Sequence, residues 1–358
     1  MGSQRMRIAQ LAPTYERVPP AAYGGTELIV HLLTEELVRR GHDVTLFASG
    51  DSTTTARLRS VTPRPVRYGD PRNGLRHAEY LQLANAQACF LEAEAGAFDV
   101  VHNHAGIEGL VLAATSATPV LTTNHNSYVP ETEPIWDAYP WAHHALSAAS
   151  AATFPARGAL PPIHHGIDVA SFPFGDTPEG YLVFLGRFSP EKGADRAIEA
   201  ALLAGRRLVL AGKVDSADAD HFSSHIEPQI DDRLITYIGE ADGAEKRRLL
   251  AGADALLFPI DWDEPFGLVM VEALACGTPV IGFRRASVPE VVEDGVTGFV
   301  VDDVEAMAER IGRVGAIDRA ACRRAAERRF GVPRMADDYE RHYETVVASG
   351  AAVRAAVG

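Results

Sequence analysis

Two glutamates, Glu264 and Glu272, carry the densest chemistry in the chain. Between them lie Pro265-Phe266-Gly267 and the apolar run Leu268-Val269-Met270-Val271. Pro265 and Gly267 delay a helix that then runs through the apolar segment and closes at Gly277. The leading amides of such a helix, those of Phe266, Gly267, Leu268 and Val269, have no carbonyl one turn back and form an anion site. Glu264 lies on the loop and Glu272 about 6 Å along the helix. A diphosphate at the helix end would have a sugar on one side and a ribose on the other, and a carboxylate accepts paired hydroxyl hydrogens. Glu264 could instead cap the helix. Surface charge is a poor account of Glu272, because Val269, Val271, Ala273, Leu274 and Ala275 make its helix apolar nearly all round. A carboxylate there needs a partner.

Arg187 and Lys192 follow the apolar run Gly180–Phe188, in a loop punctuated by Pro190 and Gly193. Two cations about 4 Å from a departing diphosphate would each contribute roughly 4 kcal/mol at an effective dielectric constant of 20. That can replace a divalent metal. For a lone Arg–Lys pair a solvated surface loop is the usual reading, and the position after a strand argues against it. Gly24-Gly25 lets a ligand approach the backbone closely, although turns also use the pair freely. His125 ends the run Pro119–His125, and a lone histidine is more often structural. His102 and His104 read as structural too, with an acceptor role left open by their place at a strand end. Neither glycine loop fits GxGxxG, which disfavours a dinucleotide site.

These loops follow strands in two series of strand–helix alternation. The first has strands over Arg7–Pro13, Asp43–Ser49, Asp99–Ala105 and Pro119–His125, with a helix from Thr26 to before Gly41. The second has strands over Gly180–Phe188, Arg207–Lys213, Ile235–Glu240, Asp254–Ile260 and Pro279–Phe283, with a helix over Ala194–Ala204. Continuous apolar strands alternating with helices predict two doubly wound parallel sheets in tandem. The expected division is residues 1–165 and 170–332, joined through a Pro/Gly-rich segment, with a last helix over 333–349 returning toward the first domain. Ligands of such sheets bind at the carboxyl ends of the strands, so the site is expected in a cleft where the two sets of ends face each other.

The chain has 358 residues, 46% of them hydrophobic, which suits two domains. A formal net charge of −14 disfavours nucleic acid and anionic lipid. Three dispersed cysteines, Cys89, Cys276 and Cys322, support neither a disulfide framework nor a zinc site and fit a reducing, cytoplasmic setting. No secretory signal or membrane-length run is evident, and residues 2–5 ahead of Met6 read as a vector remnant.

The two glutamates with seven residues between them, Pro-Phe-Gly after the first and Ala-x-x-x-Gly-x-Pro-Val after the second, resemble the retaining family-4 glycosyltransferases. So do Tyr23-Gly24-Gly25-Thr26-Glu27, Arg40-Gly41-His42-Asp43-Val44-Thr45, Asp99-Val100-Val101-His102, Gly186-Arg187-Phe188-Ser189-Pro190-Glu191-Lys192-Gly193 and Gly295-x-x-Gly298, in the same order along almost the whole chain. The resemblance implies the GT-B fold, two Rossmann-like domains with acceptor on the first and nucleotide-sugar donor on the second. It implies metal-independent, retaining transfer of a hexosyl unit from a nucleotide-diphosphate sugar, with no cofactor.

In that resemblance Arg187, Lys192 and the Gly267–Val269 helix end carry the diphosphate. Glu264 positions the sugar, Glu272 the ribose, Gly24-Gly25 lies against phosphates and sugar, and His125 touches the sugar. The acceptor is left open among small molecules, glycans and lipid-linked groups. A non-catalytic nucleotide-sugar binder, or an epimerase or hydrolase of similar fold, is the competing reading.

Three further segments carry expectations. Asp261-Trp262-Asp263 mimics a metal-binding DxD, but two carboxylates alone do not make a hard-cation site, and loop and cap roles are expected. The arginines at 57, 59, 64, 67, 72 and 76 form a basic stretch that could meet an acceptor or a membrane. Pro63, Pro65 and Pro71 argue for an exposed loop. His165 stands where the family's Asn-Gly-Ile-Asp turn has Asn, which puts a left-handed backbone there in question.

Overall fold

The structure, a computed structural model, describes residues 5–21, 24–66 and 74–357, the last seven of these and residues 74–76 by backbone alone. The chain divides into two compact units, Met1–Gly166 with Val332–Gly358, and Ile167–Gly331.

The first unit holds a six-stranded sheet of β1 (Arg7–Leu11), β2 (Asp43–Phe47), β3 (Arg57–Arg59), β4 (Val100–Asn103), β5 (Val120–Thr123) and β6 (Ala142–His144). All neighbours pair in parallel, in the order β3-β2-β1-β4-β5-β6. The second unit repeats the plan with β7 (Tyr181–Leu185), β8 (Arg207–Ala211), β9 (Ile235–Tyr237), β10 (Ala255–Phe258), β11 (Val280–Phe283) and β12 (Gly298–Val301), ordered β12-β11-β10-β7-β8-β9. Helices cover both sheets, so the central strands are apolar on both faces: Ile8, Ala9 and Leu11 of β1 and Leu182 and Val183 of β7 are all fully buried. In each unit the strand order reverses between the first and fourth strands. Such a switch point leaves a crevice at the carboxyl ends where two loops diverge.

Three strands were not expected. β3 is a short edge strand with exposed arginines, β6 is an edge strand built of Ala-His-His, and β12 hides behind Gly298. The basic stretch is therefore not one loop. Arg57 and Arg59 sit on β3 and pair with Asp43 and Glu92, at 3.7 Å and 2.9 Å. A helix begins at Gly74. Pro63 and Pro65 fall between these elements, where they break nothing, and Pro71 lies outside the described residues. Arg67 and Arg72 lie outside the described residues, as does the side chain of Arg76.

The last helix runs from Val332 to Val357, longer than the expected 333–349. Pro333 fits its first turn, and the Ala-rich tail past Gly350 contains no breaker. It belongs to the first unit, where Tyr339 and Tyr343 are fully buried and Arg40 bonds both Asp337 and Glu340 at 2.6 Å. The second unit closes on itself: the Ile167 N–H donates to the Phe330 carbonyl at 2.8 Å, in a parallel bridge between Ile167 and Gly331.

Candidate active site

The switch point of the second unit lies between β7 and β10, and the loops leaving these strands hold Arg187, Lys192 and Glu264. The two loops are sewn together. The Asp261 N–H donates to the Glu191 carbonyl at 2.8 Å, and Arg196 Nε donates to the Pro259 carbonyl at 2.9 Å. Gly193 permits this approach. Its φ is +76°, and a Cβ there would sit 2.2 Å from the Pro259 oxygen.

Across this seam Lys192 Nζ lies 2.5 Å from Glu264 Oε2. Trp262 Nε1 donates to the same oxygen at 3.1 Å, and Lys192 sits 4.4 Å from the centre of the Trp262 ring. Both polar partners address Oε2. Arg187 lies 3.5 Å from Glu191 and 3.9 Å from Asp218. Burial raises the Glu191 carboxyl, but the Ser189 hydroxyl, its own backbone amide, Arg187 and Lys192 outweigh that and hold it below the usual carboxylate range. Both cations of the sequence motif are thus already ion-paired.

The helix after Glu264 spans Leu268–Ala275, with Gly267 as its N-cap at φ +82°. A Cβ at Gly267 would meet the Met270 methyl at 2.6 Å. Among the described residues the amides of Gly267, Leu268 and Val269 have no acceptor. Phe266 is buried against Phe330, and its carbonyl accepts from Ser287 at 2.8 Å. Glu272 is only 4% exposed, and its Oε1 accepts from Lys246 Nζ at 2.6 Å. The carboxylate that needs a partner has one, on the Gly243–Gly252 helix.

Asp261 pairs with Arg285 at 2.8 Å, and Asp263 is exposed. Among the described residues no group of three or more His, Cys, Asp or Glu side chains is arranged to hold a metal ion.

In the first unit the loop after β1 leads to Gly24, the N-cap of the Gly25–Arg39 helix. Gly24 has φ +153°, and a Cβ would strike Pro20 at 2.7 Å, so no other residue fits. Tyr23 lies outside the described residues. His125, just past β5, is half-buried. Its Nε2 lies 2.8 Å from His104 Nδ1, and its ring stacks on His165 with centroids 5.3 Å apart. His165 does not take the left-handed backbone in question; positive φ outside glycine occurs, among the described residues, at Asp232 and Ala286. His102 and His104 are buried in a polar network.

The chain has known relatives. Residues 172–329 match the family described as Glycosyl transferases group 1, and residues 23–169 match Glycosyltransferase Family 4. A D-inositol 3-phosphate glycosyltransferase of Mycolicibacterium gilvum is 30% identical over 363 residues, covering 85% of this chain and 80% of that protein. The chain belongs to glycosyltransferase family 4. The crystal structure of AviGT4, a glycosyltransferase involved in avilamycin A biosynthesis, is similar to this family-4 enzyme at TM-score 0.73 and 26% identity, over 96% of this chain and 98% of that one. Anabaena HepE in complex with UDP-glucose shares the fold at TM-score 0.70 and 20% identity, over 95% and 100%. The two Rossmann-like units are the GT-B architecture.

Lys246 and Trp262 are the residues of this candidate site that sequence reasoning missed. Trp262 is visible in the sequence only as the middle of the Asp261–Asp263 triplet. Lys246 sits in Glu245-Lys246-Arg247-Arg248, where nothing singles out one cation. The demand for a partner came from Glu272, and only the fold names it. Among the described residues no helix is long and apolar enough to cross a membrane.

Proposed function

We propose that this glycosyltransferase moves a hexosyl unit from a nucleoside-diphosphate sugar to a hydroxyl acceptor, retaining anomeric configuration and using no metal. The observation that carries the reading is the set of unpartnered amides at Gly267–Val269 beside the Lys192–Glu264 pair, at the switch point of the second unit. A diphosphate there meets N–H donors and two cations, Lys192 and Arg187, as its leaving oxygen gains charge. Glu264 Oε2 is occupied by Lys192 and Trp262, which leaves Oε1 for a sugar hydroxyl. A carboxylate so neutralised is a poor nucleophile, which favours attack by the acceptor on the face the phosphate leaves over a glycosyl-enzyme intermediate. Glu272, held by Lys246 through Oε1, offers Oε2 to the ribose. Gly24, Gly25 and His125 are the first unit's contribution to the donor, and the acceptor belongs to that unit.

UDP-glucose, the ligand named for the HepE structure, is the first donor to test. Calorimetry with UDP, GDP and their glucose conjugates reads the nucleotide. Donor consumption with and without EDTA reads metal dependence, and the anomeric proton coupling of the product reads stereochemistry. Transfer abolished by EDTA, or an inverted product, overturns the corresponding part of the proposal.

A further inference from the structure

A hydrogen-bonded chain of seven links runs through the first unit and ends at His125. It starts at the Ala145 carbonyl, 2.9 Å from His144 Nδ1. A carbonyl only accepts, so this nitrogen carries the proton. Burial, reinforced by His342 and other neighbouring imidazoles, pushes His144 well below its usual range, so the ring is neutral and its Nε2 accepts. The Thr123 hydroxyl, 2.7 Å away, must donate to it. With its hydrogen spent, Thr123 Oγ1 receives one from His102 Nε2 at 2.7 Å and another from the Tyr339 hydroxyl at 3.2 Å.

His102 is likewise neutral, so its Nδ1 accepts from the Tyr343 hydroxyl at 2.7 Å. The Tyr343 oxygen then takes the Gln10 amide hydrogen at 3.0 Å. That orients the amide, and Gln10 Oε1 accepts from His104 Nε2 at 2.8 Å. His104 Nδ1, left bare, accepts from His125 Nε2 at 2.8 Å. Each bond fixes the direction of the next, and reversal anywhere would set a lone pair against the Ala145 oxygen. Among the described residues nothing bonds His125 Nδ1.

We infer that Gln10 and His104 are positioning residues that hold His125 as its Nε2–H tautomer, so that Nδ1 meets the donor sugar solely as a hydrogen-bond acceptor. The contact to sugar rests on the proposed function; the tautomer does not. An acceptor at this point selects a sugar group that can donate. A hydroxyl-bearing neutral hexose satisfies it, whereas the carboxylate of a hexuronosyl donor places a lone pair against a lone pair.

The tautomers are read directly from multiple-bond proton–nitrogen spectra of the full chain labelled with 15N-histidine at neutral pH. The expected pattern is protonated Nε2 and bare Nδ1 at His125, His104 and His102, and the reverse at His144. A protonated Nδ1 at His125 overturns the inference without any variant. UDP-glucose is expected to shift the His125 Nδ1 resonance where UDP does not, and to bind about tenfold more tightly than UDP-glucuronate. If UDP binds and neither sugar nucleotide moves that resonance, the sugar contact is wrong. If UDP itself does not bind, the donor reading fails with it, and the spectrum still decides the tautomer. Gln10→Leu removes the acceptor that fixes His104 and should mix both tautomers at His125 and narrow the preference for glucose. Gln10→Glu keeps that acceptor and should restore both. Equal spectra for the Leu variant and the parent would show that Gln10 positions nothing.

Discussion

Lys246 reaches Glu272 from a neighbouring helix, nitrogen to oxygen 2.6 Å, and so gives a nearly buried carboxylate a charged partner. The lysine itself is one-third exposed, which weakens the pair through solvent screening. Lys246→Ala is expected to cost about 1–2 kcal/mol in chemical denaturation. It should also loosen nucleotide binding, because Glu272 loses the contact that orients it. Glu272→Ala with Lys246→Ala should cost less than the sum of the two single changes. Additive losses would show the two side chains act independently.

Lys192→Ala removes a cation from the proposed leaving-group site and strips Glu264 of its partner. Transfer should fall about a hundredfold or more in kcat, and added Mg2+ should not restore it. Trp262→Leu deletes one hydrogen bond and one cation–π contact to the same pair, with a smaller loss of about 1 kcal/mol expected in kcat/KM. Steady-state kinetics on both variants checks the ranking; a Trp262 effect larger than the Lys192 effect would contradict it.

Gly193→Ala places a methyl against the Pro259 carbonyl and strains a left-handed backbone. The seam between the two loops must open. A destabilisation of about 2 kcal/mol or more is expected, with a loss of transfer that exceeds the loss of folded protein. Thermal denaturation and kcat measured on one preparation test both halves.

Acid should unfold the first unit early. Burial depresses His102, His104, His144 and His165 well below the usual imidazole range and His125 to about 3. The unfolded chain would titrate near 6.5, so between about 6.5 and the folded values it binds more protons than the native state. The stability tied to these rings is therefore complete above that pH and is lost as pH falls through it. Each ring can withdraw up to about 1.4 kcal/mol per pH unit. The melting temperature should drop steeply from pH 7 to pH 5, with proton uptake on unfolding. A flat profile would mean the rings are not held neutral.

The sequence exposes the parts of this enzyme whose signal is local. Glu272 stands out because its helix is apolar all round, and the loops after β7 and β10 stand out through Pro190, Gly193, Pro265 and Gly267. The long central strands read as apolar runs, whereas β3, β6 and β12 are short, carry arginine or histidine, or begin at glycine. His102 on β4 and His104 just past its end share one side by their alternation. Their partners come from β1, from β5 and the residues just past it, and from the last helix, at separations up to 241 residues for His102 and Tyr343. No local pattern encodes such a chain of bonds, and its direction depends on a carbonyl, which leaves no trace in composition.

The bridge between Ile167 and Gly331 means that the second unit starts and finishes at one spot. It is a single uninterrupted segment set into the other, like a cassette with adjacent ends. Excising residues 167–331 as an independent polypeptide leaves no dangling strand, and joining 166 to 332 by a brief spacer would reseal the host. Under the proposed function, donor recognition and acceptor recognition would then be separable pieces of one gene.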